Sequence, residues 1–169
     1  MSGAAERCVV FSHGLDGEPW GQKIIAMAAV ARAAGYRVES VDYRGINTLD
    51  GRLEALRSAC AGLPRSPVLV GSSLGSFLSA AVSIEAGARG LFLLAPAFEL
   101  AGLPPTPPVA RCPMTLVHGW KDDVVPVEIA IRFGRAQGAT LHLVDDDHRL
   151  HASLPRIEGW LRDFLGDLG

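Results

Sequence analysis

Ser73 stands in Gly71-Ser72-Ser73-Leu74-Gly75, a G-x-S-x-G pattern, and its setting says more than the pattern. Before it, Pro67-Val68-Leu69-Val70-Gly71 is a short apolar run of the buried-strand type. After it, Leu74 to Ala86 reads as a helix stopped by Gly87. A strand that turns sharply into a helix pushes one side chain into a strained, exposed position. Gly71 and Gly75, without side chains, let neighbouring backbone approach closely. Ser73 then projects above the sheet at a helix N-terminus, where free N–H groups and the helix dipole favour developing negative charge. That is the setting nucleophilic attack on a carbonyl requires. Taken alone, the five residues also fit a plain helix N-cap serine. Ser72 and Ser76 read as ordinary turn and helix serines.

The elements that would position Ser73 recur along the whole chain. Strand signals lie at residues 8–11, 38–41, 67–71, 91–95, 114–118 and 140–144. Helical patterns fill 22–34, about 52–61 with Asp50 as its cap, 74–86, 127–137 and 154–165. Nearly continuous apolar strands alternating with helices predict a mainly parallel, about six-stranded sheet covered on both faces. Residues 96–113 break the rhythm. Pro104, Pro105, Pro107 and Pro108 prevent a regular helix there and predict an ordered, extended connection. A parallel sheet binds its ligand outside the carboxyl ends of the strands. Chemistry is therefore expected in the segments just after strands.

With 169 residues the chain is expected to form one domain over 1–169. Hydrophobic residues at 49% and charged residues at 20% are those of a globular protein and exclude disorder. A formal net charge of −2 gives no sign of nucleic-acid or anionic-membrane partners. Cys8, Cys60 and Cys112 are odd in number and far apart, so neither a disulfide framework nor zinc spacing is visible. The N-terminal apolar stretch is too short for a secretion signal, and no run approaches the ~20 residues of a membrane span. These features predict a cytoplasmic protein.

The elbow, its flanking elements and the order of the segments after it resemble the α/β-hydrolase superfamily, in particular its small capless bacterial members. The resemblance runs from the first strand to the last helix, without the two additional N-terminal strands the family often carries. It implies a minimal α/β-hydrolase fold with no cap domain. His118-Gly119-Trp120-Lys121-Asp122-Asp123-Val124-Val125-Pro126 is similar to the family's H-G-x-x-D-x-x-V-P segment, which makes Asp122 the triad acid and Asp123 its rival. The family places its catalytic histidine after the last strand. That implies His148 in Asp145-Asp146-Asp147-His148, with His151 as the rival. Histidine suits the role because it both accepts and returns a proton near neutrality. His13-Gly14-Leu15 resembles the family's oxyanion turn, which implies the backbone N–H groups of Leu15 and Leu74 as donors. His13 and His142 read as structural.

Leu15, Trp20, Phe98 and Trp120, with Leu74, are expected around an apolar substrate pocket, open because no cap is inserted. The function expected is a serine hydrolase acting on a small-molecule carboxylic ester of small or short acyl group. It would use no cofactor and no metal, and neither nucleic acid nor membrane as partner. A thioesterase or amidase would use the same triad. A non-catalytic binding protein would keep the fold without the chemistry. A nucleotide-binding doubly wound domain ranks last, since both G-x-G-x-x-G and the P-loop pattern are missing.

Overall fold

The computed structural model describes residues 6–64 and 66–169. In chain order the elements are β1 (Cys8–Ser12), α1 (Gln22–Ala33), β2 (Arg37–Val41), α2 (Leu49–Ala61), β3 (Val68–Ser72), α3 (Leu74–Val82), β4 (Gly90–Leu94), β5 (Met114–Gly119), α4 (Val127–Gln137), β6 (Thr140–Val144) and α5 (Leu154–Asp167). The six strands form one sheet in the order β2-β1-β3-β4-β5-β6. Every pairing is parallel.

The strand sequences explain who lies where. β1, β4 and β5 are buried along their full length, as their continuous apolar runs require when both faces are covered. The edge strands β2 and β6 carry Arg37, Glu39, Thr140 and His142 and are only half-buried. One face packs Leu56 of α2, Phe77 and Leu78 of α3, and Ile129 and Phe133 of α4 against Val10, Leu69, Leu91, Leu93 and Leu116. The other packs Ile24, Met27 and Ala31 of α1, and Ile157, Leu161 and Leu165 of α5, against Val9, Phe11, Val70, Phe92 and Val117. Alternate residues of each strand therefore serve opposite layers, as the two-residue side-chain period demands.

The chain order reverses between β1 and β3: the crossover from β1 leads outward to β2, and the next strand returns to the other side of β1. A crevice opens at the carboxyl ends where such a reversal occurs. The loops after β1 and β3 meet there.

Two element ends differ from the sequence expectation by more than two residues, the start of α2 and the end of α3. The cap of α2 is Thr48, whose side chain accepts the Gly51 N–H at 3.1 Å, and Asp50 lies inside the first turn. α3 ends at Val82 rather than Ala86. The Ser83 hydroxyl donates back to the Ala80 carbonyl at 2.7 Å and accepts the Ala110 N–H at 2.9 Å, and this side-chain competition closes the helix. Residues 95–113 contain neither helix nor strand, and Leu100, Leu103, Val109 and Ala110 lie against the α2/α3/α4 layer. They cover the sheet's flank and add no cap domain. Among the described residues no helix is long and apolar enough to cross a membrane.

Candidate active site

Ser73 joins β3 to α3 with φ 55° and ψ −119°, a conformation that costs a residue with a side chain about 1–3 kcal/mol. The surroundings hold it there. Its N–H donates to the Leu94 carbonyl at 2.9 Å, and its carbonyl accepts N–H groups from Ser76 at 2.9 Å and Ala97 at 3.3 Å. A β-carbon on Gly71 would collide with the Gly75–Ser76 backbone, so the bend is tight only because glycine occupies that place.

The serine hydroxyl meets the histidine loop. His148 Nε2 lies 2.9 Å from Ser73 Oγ, and His148 Nδ1 lies 2.7 Å from Asp122 Oδ2. With a carboxylate on one side, Nδ1 carries the proton and Nε2 is free to accept from the serine. The imidazole is one-fifth exposed, while the Asp122 carboxylate is fully buried. Asp122 Oδ1 accepts the N–H groups of Val124 at 2.9 Å and Val125 at 2.7 Å. Burial pushes the Asp122 carboxyl upward. The hydrogen bonds from His148, Val125 and Val124 outweigh that push and hold it below the ordinary carboxylate range. Asp123 and His151, the rivals, are both exposed and take no part in this chain of contacts.

The loops carrying acid and base are laced together. Trp120 N–H donates to the Val144 carbonyl at 2.8 Å, and Lys121 N–H to the Asp146 carbonyl at 3.0 Å. Lys121 Nζ also pairs with Asp145 at 2.6 Å on the surface. Asp146 is buried. Its carboxylate accepts the N–H groups of Asp147 and Ser153, each at 2.8 Å, so it clamps the loop on either side of His148. Leu150, fully buried at φ 57°, anchors the chain just beyond the histidine. Of the three aspartates before His148, Asp146 is thus a structural brace.

The first loop closes on the serine from the β1 side. A β-carbon on Gly14 would lie 3.3 Å from both Ser73 Cβ and the Ser72 carbonyl oxygen. His13 fixes this turn in one tautomer: Nδ1–H donates to the Gly14 carbonyl at 2.8 Å, and Nε2 accepts the Tyr43 N–H at 3.1 Å. Burial holds its pKa below the ordinary value, which keeps Nε2 available as an acceptor. The Leu74 N–H opens α3, so the helix offers it no carbonyl. Among the described residues neither the Leu15 nor the Leu74 N–H donates to a protein group.

The expected pocket residues divide. Leu15 and Trp120 are exposed at the rim, at 63% and 56%, joined by Val124 at 53%. Phe98 is sealed in the core, with its ring 6.2 Å from Phe77 and 4.4 Å from Phe133, and offers no surface to a ligand. The Trp20 ring packs under the Arg32 guanidinium from the last turn of α1, 5.5 Å away. His142 stacks on Trp160 at 3.9 Å in a purely structural contact. Among the described residues no three His, Cys, Asp or Glu side chains gather as metal ligands.

Sequence reasoning gives no role to two further residues at the site. Lys23, half-buried on α1, donates from Nζ to Ser72 Oγ at 3.1 Å, directly beside the elbow. His118, fully buried in β5, donates from Nε2 to the Val125 carbonyl at 2.8 Å and lies 3.3 Å from Asp122 Oδ2. Lys23 stands in an Ala-rich helix with no local signal, and His118 opens the H-G-x-x-D-x-x-V-P segment, which by itself gives it no role.

The model of the alpha/beta hydrolase family matches residues 9–168. The chain belongs to the alpha/beta hydrolase family. Among solved structures, this hydrolase-family chain is similar to a protein of Xanthomonas campestris pv. campestris assigned to the alpha/beta hydrolase superfamily. The two are 32% identical with a TM-score of 0.88, over 96% of this chain and 98% of that one. It shares its fold with Est1E of Butyrivibrio proteoclasticus (18% identity, TM-score 0.81, 99% and 90% covered). It shares the fold also with a serine hydrolase without lid from Xanthomonas campestris (20% identity, TM-score 0.76, 95% and 81% covered). No curated protein sequence matches the chain.

Proposed function

We propose that this alpha/beta hydrolase-family chain is a serine hydrolase that cleaves a carboxylic ester by acyl transfer, with Ser73 as nucleophile, His148 as base and Asp122 as acid. The observation that carries the reading is the unbroken run of contacts from Ser73 Oγ to His148 Nε2 at 2.9 Å and from His148 Nδ1 to Asp122 Oδ2 at 2.7 Å. His148 Nε2 takes the hydroxyl proton as Ser73 Oγ attacks the ester carbonyl carbon. Asp122 stabilises the imidazolium that forms. The N–H groups of Leu15 and Leu74 take the oxyanion; one such donor is worth ~10²–10³ in rate. The imidazolium returns its proton to the departing alkoxide, leaving an acyl group on Ser73. A water, deprotonated by His148, attacks the acyl carbon, and the proton passes back to Ser73 as the acid leaves.

The open rim supports small or short acyl groups. The segment that would carry a cap is an extended connection on the sheet's flank, and the apolar groups at the edge, Leu15, Trp120 and Val124, stand in solvent instead of walling a tunnel. Three free cysteines, two of them buried, suit a cytoplasmic enzyme.

A panel of p-nitrophenyl esters of graded acyl length, with matching thioesters and anilides, tests this reading. Turnover falling with acyl length and lost in Ser73→Ala is expected. Faster turnover of the thioesters or anilides would reassign the substrate class. No turnover of any substrate would leave a binding protein on the hydrolase fold.

A further inference from the structure

We propose that Lys23 is a positioning residue for the oxyanion turn: its ammonium, bonded to Ser72, holds the segment that carries Leu15 against the nucleophile elbow. The proposal rests on Ser73 as nucleophile and on the Leu15 N–H as an oxyanion donor. Lys23 lies in the first turn of α1, and the chain between β1 and that turn is the loop bearing Gly14 and Leu15. Its Nζ donates to Ser72 Oγ at 3.1 Å. Ser72 ends β3 one residue before the nucleophile, and pairing with Leu94 of β4 fixes its backbone. The acceptor is therefore a rigid point of the elbow.

The loop needs such a tie. It leaves β1 in register with the elbow's strand, since Ser12 pairs with Gly71. Gly14 then lies close against Ser73 Cβ and the Ser72 carbonyl oxygen. After it Leu15, Asp16, Gly17 and Glu18 stand exposed. The buried Pro19 gives its carbonyl to the Ser40 hydroxyl of β2, which lies on the side of β1 away from β3. The Lys23 bond brings the far end of the loop back to β3. Among the described residues no other hydrogen bond ties residues 15–33 to the elbow. The state of the lysine supports a built contact. A lysine that only packs keeps its head in water. Here burial holds the amine below the ordinary lysine range, while Asp146, Asp147 and Asp122 pull on it from the acid and base loops. Against that pull the ammonium bonds the neutral Ser72 hydroxyl, so its head is aimed at the elbow.

A double-mutant cycle on the intact protein tests this, with active sites counted by fluorophosphonate titration. Lys23→Met and Ser72→Ala should each lower kcat on a model ester by roughly tenfold with KM little changed. A displaced oxyanion donor forfeits part of the ~10²–10³ in rate that a lost one does. The double variant should fall no further, because both changes break the same bond. A short alkyl trifluoromethyl ketone, whose hemiketal with Ser73 puts an oxygen anion where the oxyanion forms, should bind about tenfold more weakly to each variant. Losses that multiply in the double variant would overturn the proposal. So would Ser72→Ala at wild-type kcat beside an impaired Lys23→Met, since the lysine would then act apart from Ser72. Wild-type kcat in both single variants, or a lowered kcat with unchanged ketone affinity, would overturn it equally. If Lys23→Met does not fold, kcat and ketone affinity of Ser72→Ala still decide. Failure of the wild type to react with the fluorophosphonate would instead strike the reading of Ser73 itself.

Discussion

Gly75, in the first turn of α3, rests directly on the carbonyl of Ser12 at the end of β1. A β-carbon there would overlap the Ser12 carbonyl group and stand 2.8 Å from the His13 carbonyl oxygen. These carbonyls belong to backbone, which cannot swing aside as a flexible side chain would. The contact sets how far the nucleophile's helix stands from the loop bearing Gly14 and Leu15, so it sets the gap in which an oxyanion would sit.

Gly75→Ala should therefore damage stability and activity together. Overpacking of this kind typically costs about 1–3 kcal/mol. Urea unfolding should show that loss as a lower midpoint at unchanged slope. Turnover by the folded fraction should fall as well, because α3 must retreat from β1. A variant with wild-type midpoint and turnover would show that the two elements are free to part.

Asp122→Asn should lower kcat by about 10⁴-fold while the protein stays folded, since an amide holds the imidazole in the wrong tautomer. Asp123→Asn, at an exposed side chain outside the network, should leave kcat/KM within about twofold. Steady-state kinetics on one ester, with thermal melts as the control for folding, separate the two. The reverse ranking would move the acid to Asp123.

Lys23 gives a pH dependence whose sign can be worked out. Burial holds its amine below the ordinary lysine range, against the pull of Asp146, Asp147 and Asp122. A lysine depressed in the folded state carries its cost in full at neutral pH, where both folded and unfolded forms are charged. As pH rises through the folded value the native amine loses its proton first, and the cost disappears by about pH 10.4, the unfolded value. Wild type should thus gain stability relative to Lys23→Met between neutral pH and the alkaline range. Paired denaturant titrations at the two ends measure it, and groups common to both proteins cancel. A gap that stays constant or closes in the opposite sense would mean that the amine is not desolvated.

The legibility of each feature in the sequence depends on the range of the interactions that make it. Ser73 was readable because everything that makes the elbow is local: an apolar run, two glycines and a helix within one stretch of chain. The parallel six-stranded sheet was readable for the same reason, strand by strand. Asp122 and His148 are different, since only the family's order of segments pointed to them, and Asp123 and His151 stand beside them with the same chemistry. What was not readable depends on packing between distant elements. Phe98 comes after a strand, as a pocket residue would, yet aromatic neighbours from α3 and α4 enclose it. Thr48 and Asp50 are both good helix caps, and only the backbone angle at Thr48 (φ −109°, ψ 147°) decides between them. Lys23 has its partner, Ser72, 49 residues away, and no motif announces that contact.

Activation of the Ser73 hydroxyl by His148 is the central claim, and a covalent probe reads it directly. Intact-mass spectrometry after treatment with a fluorophosphonate, followed by peptide mapping, measures this without knowing the substrate. One adduct per chain, on Ser73 and abolished in His148→Ala, is the predicted result. An unmodified wild-type protein, or an adduct on Ser73 that forms as fast without His148, would contradict it.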